Sequence, residues 1–229
     1  MAANLPHHAA LWSLCRLLES RATSVEAPAL GADSDDVSNA TAFRKAAIRY
    51  AAQAWDSLPL LMVLGAECML ARTFRLAAGV FAEALRLAPR EPLVSLALAC
   101  AHLGQVMSRA TASRHGEAAR AAALLKNYRQ LRIAGAEGES AKGAIPVQHL
   151  NAEVCYNLGR ACHQLGLIEL AAENYERALG GWAECGWKGS DAAALDIQRE
   201  AAYNLCLIYR GTGAEARAEQ LARDFLVYA

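Results

Sequence analysis

Three stretches of this sequence repeat one spacing of small and aromatic residues, and this repetition restricts the fold more than any other feature. A small residue is followed by alanine at +12, and in two stretches also by an aromatic residue at +16 and alanine at +19. The first set is Gly65, Ala77, Phe81 and Ala84, the second is Gly159, Ala171, Tyr175 and Ala178, and the third keeps Cys206 and Ala218. A unit of this size cannot bury its apolar face alone, so the pattern predicts stacked helical repeats.

The spacing resembles the tetratricopeptide (TPR) frame, in which two antiparallel helices, A and B, form each repeat. The helices cross where their small residues meet, so we expect Gly65 to face Ala77 and Gly159 to face Ala171. We expect the aromatic residue to fill the groove toward the next repeat and Pro89 to end the first of these units. The resemblance implies an all-α, TPR-like, right-handed superhelical solenoid of about five helix pairs.

We predict a single TPR array over residues 1–229, built from five repeats. The repeats are expected at about 5–56, 58–89, 91–133, 148–181 and 193–228. Small and acidic residues fill 22–36, which we expect to be a mobile acidic loop within the first repeat. Glycine-rich linkers are expected at 134–147 and 180–192.

Charge and cysteine content exclude several classes of protein. The chain has 23 Lys and Arg residues against 23 Asp and Glu residues, so no global field holds it on nucleic acid or on an acidic membrane. No apolar run is long enough to span a bilayer. The seven cysteines are odd in number and include no CxxC pair, which favours structural thiols in a reducing compartment, cytosol or nucleus, over a disulfide or zinc framework.

Motifs that indicate catalysis are missing from the sequence. It has no GxSxG elbow, Walker glycine loop, HExxH motif or paired Cys and His ligand set. His163 follows Cys162, but adjacent residues of a helix point in different directions and do not form a dyad. We therefore predict no enzyme activity, no catalytic residue, no metal site, no cofactor and no small-molecule substrate.

A TPR array binds partners mainly through one face of its A helices. At those positions of the frame the sequence has Met62, Met69, Tyr156, Asn157, Arg160, Tyr203 and Asn204. Asn157 and Asn204 share one position, where an amide either offers a donor and an acceptor to an extended peptide or binds the neighbouring helix. Met62 and Met69 either receive a partner or are covered by upstream parts of the chain. Only Arg160 is cationic where chaperone-type TPR domains grip a carboxylate, so we expect no such clamp.

The segment from 105 to 133 has a local excess of positive charge. Its single acidic residue, Glu117, stands against six basic ones: Arg109, Arg114, Arg120, Lys126, Arg129 and Arg132. Three interpretations are open: a solvated helix face, a docking surface for an acidic partner segment, or an auxiliary contact to the DNA backbone. We assign Arg114, Lys126 and Arg129 to partner binding, and we expect DNA contact to be indirect or weak and without sequence preference.

Longer strings resemble the TPR subunit of transcription factor IIIC. They include NLPHHAALWSL, EPLVSLALACAHL, YNLGRACHQLGL and REAAYNLCLIYRGTG, in the order found in that family and with a similarly long insertion between the last two. The resemblance implies the C-terminal TPR array of that subunit, a nuclear scaffold in RNA polymerase III transcription of transfer RNA genes. It implies other factor IIIC subunits, and factor IIIB, as partners.

The alternative interpretation is a TPR adaptor of another nuclear or cytosolic complex, of the ubiquitin-ligase or RNA-processing type. A TPR module that regulates an enzyme is a third possibility. Because TPR packing residues do not name a function, these alternatives stay open on the repeat pattern alone.

Overall fold

The computed structural model describes residues 56–109, 111–137, 146–185 and 197–226. Every regular element in these ranges is helical, which confirms the all-α class. The chain divides into two compact units, Met1–Pro89 and Arg90–Ala229. Most of the expected first repeat, including the expected acidic loop at 22–36, lies outside the described residues.

The first compact unit contributes one described helix pair. Helix α1 spans Leu58–Leu70 and helix α2 spans Phe74–Leu87, and the two pack on each other. Pro59 lies in the first turn of α1, where its missing N–H leaves no helical hydrogen bond unmade. Leu61 of α1 and Val80 of α2 are among the side chains that are buried in this unit.

The second compact unit contains three described helix pairs. Its helices are α3 (Pro92–Met107), α4 (Arg114–Glu137), α5 (Val147–Gln164), α6 (Ile168–Cys185), α7 (Gln198–Gly211) and α8 (Glu215–Leu221), and a π-helical turn follows at Ala222–Leu226. Each odd-numbered helix packs on the helix that follows it, while α4 also contacts α5 and α6 contacts α7. Helix pairs that pack in sequence order are the arrangement expected of a TPR-like helical solenoid.

The odd-numbered helices α1, α3, α5 and α7 end in the same left-handed turn. The second residue after each helix has a positive φ, which is 57° at Arg72, 54° at Arg109, 78° at Gly166 and 80° at Gly213. In the first of these turns the N–H of Thr73 donates to the Cys68 carbonyl oxygen at 2.9 Å. This bond satisfies a carbonyl that the end of the helix leaves open, so the chain reverses into the next helix without losing hydrogen bonds.

Described residues of the second compact unit form two apolar cores. One joins α6 to α7 through the buried residues Ala171, Tyr175, Ala178, Leu179, Ala201, Ala202, Leu205 and Ile208. The other joins α3, α4 and α5 through Ala99, Leu103, Ala121, Leu125 and Ala161. Alanine is the commonest residue in both cores, and small side chains let helix axes approach closely.

The two expected linkers begin later than their glycine content indicated. Helix α4 continues past 134 to Glu137, and helix α6 continues through Gly180 and Gly181 to Cys185. Gly181 lies against α5, where an added Cβ would lie 3.5 Å from the Gln148 carbonyl oxygen. An alanine at 181 would make an ordinary van der Waals contact there, so the packing does not require glycine. Because α6 runs through both glycines, the expectation of a linker from 180 is wrong at its first residues.

Candidate partner-binding faces

The glycines of the repeat pattern lie under aromatic rings. A Cβ built on Gly159 would lie 2.8 Å from Tyr175 Cδ1, and one built on Gly65 would overlap the Phe81 ring. At each glycine the three nearest atoms belong to the aromatic residue at +16, whereas we expected the alanine at +12. The ring reaches further across the helix crossing than a methyl group does, so the ring is what excludes a side chain there.

The remaining packing residues assigned from the sequence are all buried. They are Ala77, Ala84, Ala171, Ala178, Cys206 and Ala218. In the last repeat Cys206 takes the place of the glycine and Ala222 takes the place of the aromatic residue. The Cys206 thiol donates to the Ala218 carbonyl oxygen at 3.3 Å, and burial raises the pKa of this thiol. A side chain is accommodated at this position because no ring covers it.

A polar cluster centred on Tyr128 joins α4 to α5. The Tyr128 side chain is fully buried, and its hydroxyl donates to Glu153 Oε1 at 2.7 Å. Asn157 Nδ2 donates to the same hydroxyl oxygen at 3.0 Å, and Arg132 Nη2 donates to Glu153 Oε2 at 2.8 Å. We call these four residues the Tyr128 cluster. Asn157 thus binds the neighbouring helix, which is the second of the two roles considered for it.

Asn204 stands at the equivalent position of α7 in a different environment. It is half-buried, and its side chain makes no hydrogen bond with any of the described residues. Its amide therefore keeps both a donor and an acceptor for a partner. The two asparagines share a place in the repeat but not a set of contacts.

We define the A-helix face as the side chains that α3, α5 and α7 present at equivalent outward positions: Cys100, Tyr156, Arg160, Tyr203 and Leu207. Tyr203 and Leu207 are one turn apart on α7, and they are 56 % and 44 % exposed. The exposed Arg160 guanidinium lies 5.8 Å from the centre of the Tyr156 ring. This face offers aromatic and aliphatic surface around one cation.

Met62 and Met69 belong to the first compact unit and lie on α1. Both are half-buried, and a separation of seven residues places them on the same side of the helix. Each therefore keeps part of its flexible apolar side chain accessible, which suits contact with a partner.

Lys126 and Arg129 are exposed and lie three residues apart on α4, on one side of the helix. Arg114 is exposed at the start of α4, about 18 Å along the helix axis from Lys126. The three cations assigned to partner binding therefore do not form one cluster. Lys126 and Arg129 lie together, and Arg114 is separate from them.

Glu117, the acidic residue of that segment, is turned inward. It is 8 % exposed, with His102 Nδ1 at 2.5 Å and Arg120 Nη1 at 2.8 Å. A buried carboxylate is favourable only with such partners. The contact ties α3 to α4 and removes the negative charge from the outer face of α4.

Curated proteins similar to this chain are subunits of one kind of transcription factor. General transcription factor 3C polypeptide 3 of Homo sapiens is 32% identical over 162 residues, and transcription factor tau subunit sfc4 of Schizosaccharomyces pombe is 29% identical over 177. The transcription factor tau 131 kDa subunit of Saccharomyces cerevisiae is 30% identical over 138 residues. This chain is homologous to subunit 3 of transcription factor IIIC. The resemblance found in the sequence is thereby confirmed.

The factor IIIC relatives are much longer than this chain. The matched segments cover 71%, 74% and 60% of this chain but 16%, 16% and 12% of the three relatives, in the order given. No protein-family model matches the chain. The similarity therefore concerns one segment of the factor IIIC subunits.

The sequence alone did not indicate two features of this chain: the Tyr128 cluster and the contact between His102 and Glu117. Tyr128 lies in the long second helix of its repeat, where the 34-residue spacing gives no position for it. His102 and Glu117 are 15 residues apart and meet only because the turn at Arg109 folds α4 back on α3. Each feature includes a polar residue at a core position of a predicted helix, and such a residue is the signal that would have indicated a buried polar contact.

Among the described residues no group of three His, Cys, Asp or Glu side chains is placed to hold a metal ion. The same residues contain no helix of the length and apolarity needed to cross a membrane. Burial raises the pKa of the thiols of Cys68, Cys155 and Cys162. These thiols therefore stay protonated at neutral pH, and a protonated thiol is a poor nucleophile.

Proposed function

We propose that this chain is a non-catalytic scaffold segment of transcription factor IIIC in the nucleus. In this role it assembles other subunits of that factor and supports recruitment of factor IIIB during transcription of transfer RNA genes by RNA polymerase III. The chain needs no cofactor, metal or small-molecule substrate for it. The similarity to transcription factor subunits supports this assignment.

The observation that carries the proposal is the A-helix face. Tyr203 and Leu207 expose large apolar surface at positions equivalent to Tyr156 and Arg160 on the preceding A helix. Exposed aromatic and aliphatic groups around an arginine have the composition of protein-binding surfaces. Asn204, with its unused donor and acceptor, lies beside them on α7. We propose that the partner subunit docks against these residues.

Contact with DNA is indirect or weak in this proposal. The formal charge of the whole chain is zero, and two of the cations of α4, Arg120 and Arg132, are already paired with carboxylates. Electrostatic attraction to phosphates grows with the number of unpaired cations, so few phosphate contacts are available.

The experiment that tests the proposal is purification of the tagged chain from the cells in which it is made. We expect other factor IIIC subunits to be enriched with it. The TPR-adaptor alternative makes a different prediction, because subunits of a ubiquitin ligase or an RNA-processing complex would then replace them. That second result would contradict the proposal.

A further inference from the structure

We propose that the outer face of α4 is a docking surface for an acidic segment of a partner protein. We call this surface the α4 basic surface and define it by Lys126 and Arg129 of α4 and Arg177 of α6. The inference rests on the proposed function, because the partner is taken to be another subunit of the same factor. It adds a second face and states the chemistry that this face recognises.

The first argument is how the charges of α4 are used within the chain. Glu117 is buried between His102 and Arg120, so it does not neutralise the outer face. Lys126 and Arg129 are exposed and form no ion pair with any carboxylate in the part of the chain that the structure describes. Two neighbouring cations without internal partners are available to carboxylates from outside.

The second argument concerns Arg177 on α6, because α6 packs on α5 and α5 also contacts α4. Arg177 is loosely paired with Glu173 at 3.7 Å, and both side chains are 59% exposed. An exposed ion pair of this kind contributes little and is readily exchanged for a carboxylate of a partner.

The third argument decides between an acidic protein segment and a nucleic acid. Three cations neutralise at most about three phosphates, whereas tight DNA binding uses about six to ten such contacts. Between the start of α4 and Lys126, the same side of the helix presents exposed alanines at 119, 122 and 123. Apolar surface beside cations suits a protein segment that carries both methyl and carboxylate groups.

The first test compares purifications of three tagged chains from their own cells. The variant Lys126→Gln with Arg129→Gln removes two exposed cations from the surface. The control Arg75→Gln with Arg223→Gln removes the same charge from exposed positions on α2 and the π-helical turn. We expect the variant to recover about fivefold to tenfold less of at least one factor IIIC subunit at physiological ionic strength, and the control to match the parent.

Each outcome of this purification has a distinct meaning. If the parent recovers no factor IIIC subunit, the proposed function fails. If the parent recovers them and the surface variant recovers equal amounts, the docking surface is refuted while the proposed function stands. If nuclease treatment removes the same subunit from the parent, nucleic acid mediates the association and the inference is also refuted.

A second test identifies the contacted group. A carbodiimide joins a lysine amine directly to a carboxylate only when the two are in contact. In the purified complex we expect Lys126 to be cross-linked to an Asp or Glu residue of another subunit. The variant Lys126→Arg should lose this cross-link and still recover the subunit, because it keeps the positive charge. A complex in which other lysines cross-link to partner subunits and Lys126 does not would contradict the inference.

Discussion

At Gly159 the protein has no space for a methyl group, because the Tyr175 ring lies where the Cβ would be. The same relation holds between Gly65 and Phe81. The sequence pattern located both members of each contact, but it led us to expect the alanine at +12, and not the aromatic ring, nearest the glycine. Spacing along a helix shows which residues share a side, and only the size of each side chain decides which of them fills the crossing.

Gly159→Ala is expected to destabilise the protein by about 1–3 kcal/mol, because the new methyl group must displace the Tyr175 ring. Gly180→Ala is the matched control, since this exposed glycine is also within a helix and has nothing within 4 Å of an added Cβ. The control should stabilise the protein by about 0.5–1 kcal/mol through helix propensity. Urea unfolding monitored by circular dichroism measures both changes. Equal effects at the two positions would contradict the packing described.

Arg72 adopts a left-handed backbone conformation that Gly166 and Gly213 occupy in the equivalent turns. We expect Arg72→Gly to stabilise the first compact unit by about 0.5–1 kcal/mol, because a side chain in this conformation is strained. Arg75→Gly, at the second residue of α2, should not stabilise it, because the backbone at this position is helical and glycine has a low helix propensity. Thermal unfolding of both variants measures the two changes in stability. Stabilisation by Arg72→Gly but not by Arg75→Gly is the result that indicates strain at Arg72.

At the scale of helices, α4 and α5 are held together by more than apolar contacts. Tyr128 brings its hydroxyl from α4 to two residues of α5, Glu153 and Asn157. The sequence indicated both helices but not this connection. Tyr128 falls outside the repeat frame, and its contact lies across the expected linker. Helix periodicity describes one helix at a time, so it does not show which polar groups meet between two.

We expect Asn157→Ala to destabilise the protein by about 1 kcal/mol and Asn204→Ala to have almost no effect on the free energy of unfolding, which urea unfolding measures. Equal effects of the two changes would contradict the different contacts of the two asparagines.

Tyr128→Phe should destabilise the protein by about 1–2 kcal/mol, because Glu153 and Asn157 lose a buried partner. Combined with Asn157→Ala, it should cost less than the sum of the two single changes. Denaturant unfolding of the four proteins gives the coupling. Additive costs would show that the hydrogen bond to the Tyr128 hydroxyl contributes nothing to stability.

The buried tyrosines predict the response to alkaline pH. Burial raises the pKa of Tyr175 from 10.0 to about 12, and burial together with the Glu153 carboxylate also raises the pKa of Tyr128. A raised pKa in the folded state means that the unfolded chain loses these protons first. The free energy of unfolding should therefore be unaffected by them below pH 10 and should fall between about pH 10 and 12. Unfolding of Tyr175→Phe over this range should show a smaller decrease than the parent, and an identical decrease would contradict the assignment.

At the scale of the whole molecule, this chain corresponds to one segment of much longer factor IIIC subunits. The all-helical class and the order of the helix pairs were predictable, because the repeat spacing fixes which residues must be buried. The way in which the exposed residues are grouped into separate surfaces was not predictable from the sequence. Arg114, Lys126 and Arg129 appeared equivalent in the sequence, and the structure separates the first from the other two. Surface arrangement depends on how helices pack, which periodicity alone does not specify.

The most direct test of the account compares two pairs of exposed apolar residues in the second compact unit. Tyr203→Ala with Leu207→Ala removes the apolar part of the A-helix face on α7. Leu167→Ala with Leu170→Ala removes similar side chains, 47 % and 49 % exposed, at the turn before α6 and in its first turn. Both variants should unfold within about 0.5 kcal/mol of the parent, because the residues are exposed.

The deciding measurement is the amount of each factor IIIC subunit that co-purifies with the two tagged variants and with the parent chain. The account predicts a loss of about tenfold or more for the Tyr203 and Leu207 variant, since interface aromatic residues carry much of the binding energy, and no loss for the Leu167 and Leu170 variant. Full recovery with the first variant, or an equal loss with both, would contradict it.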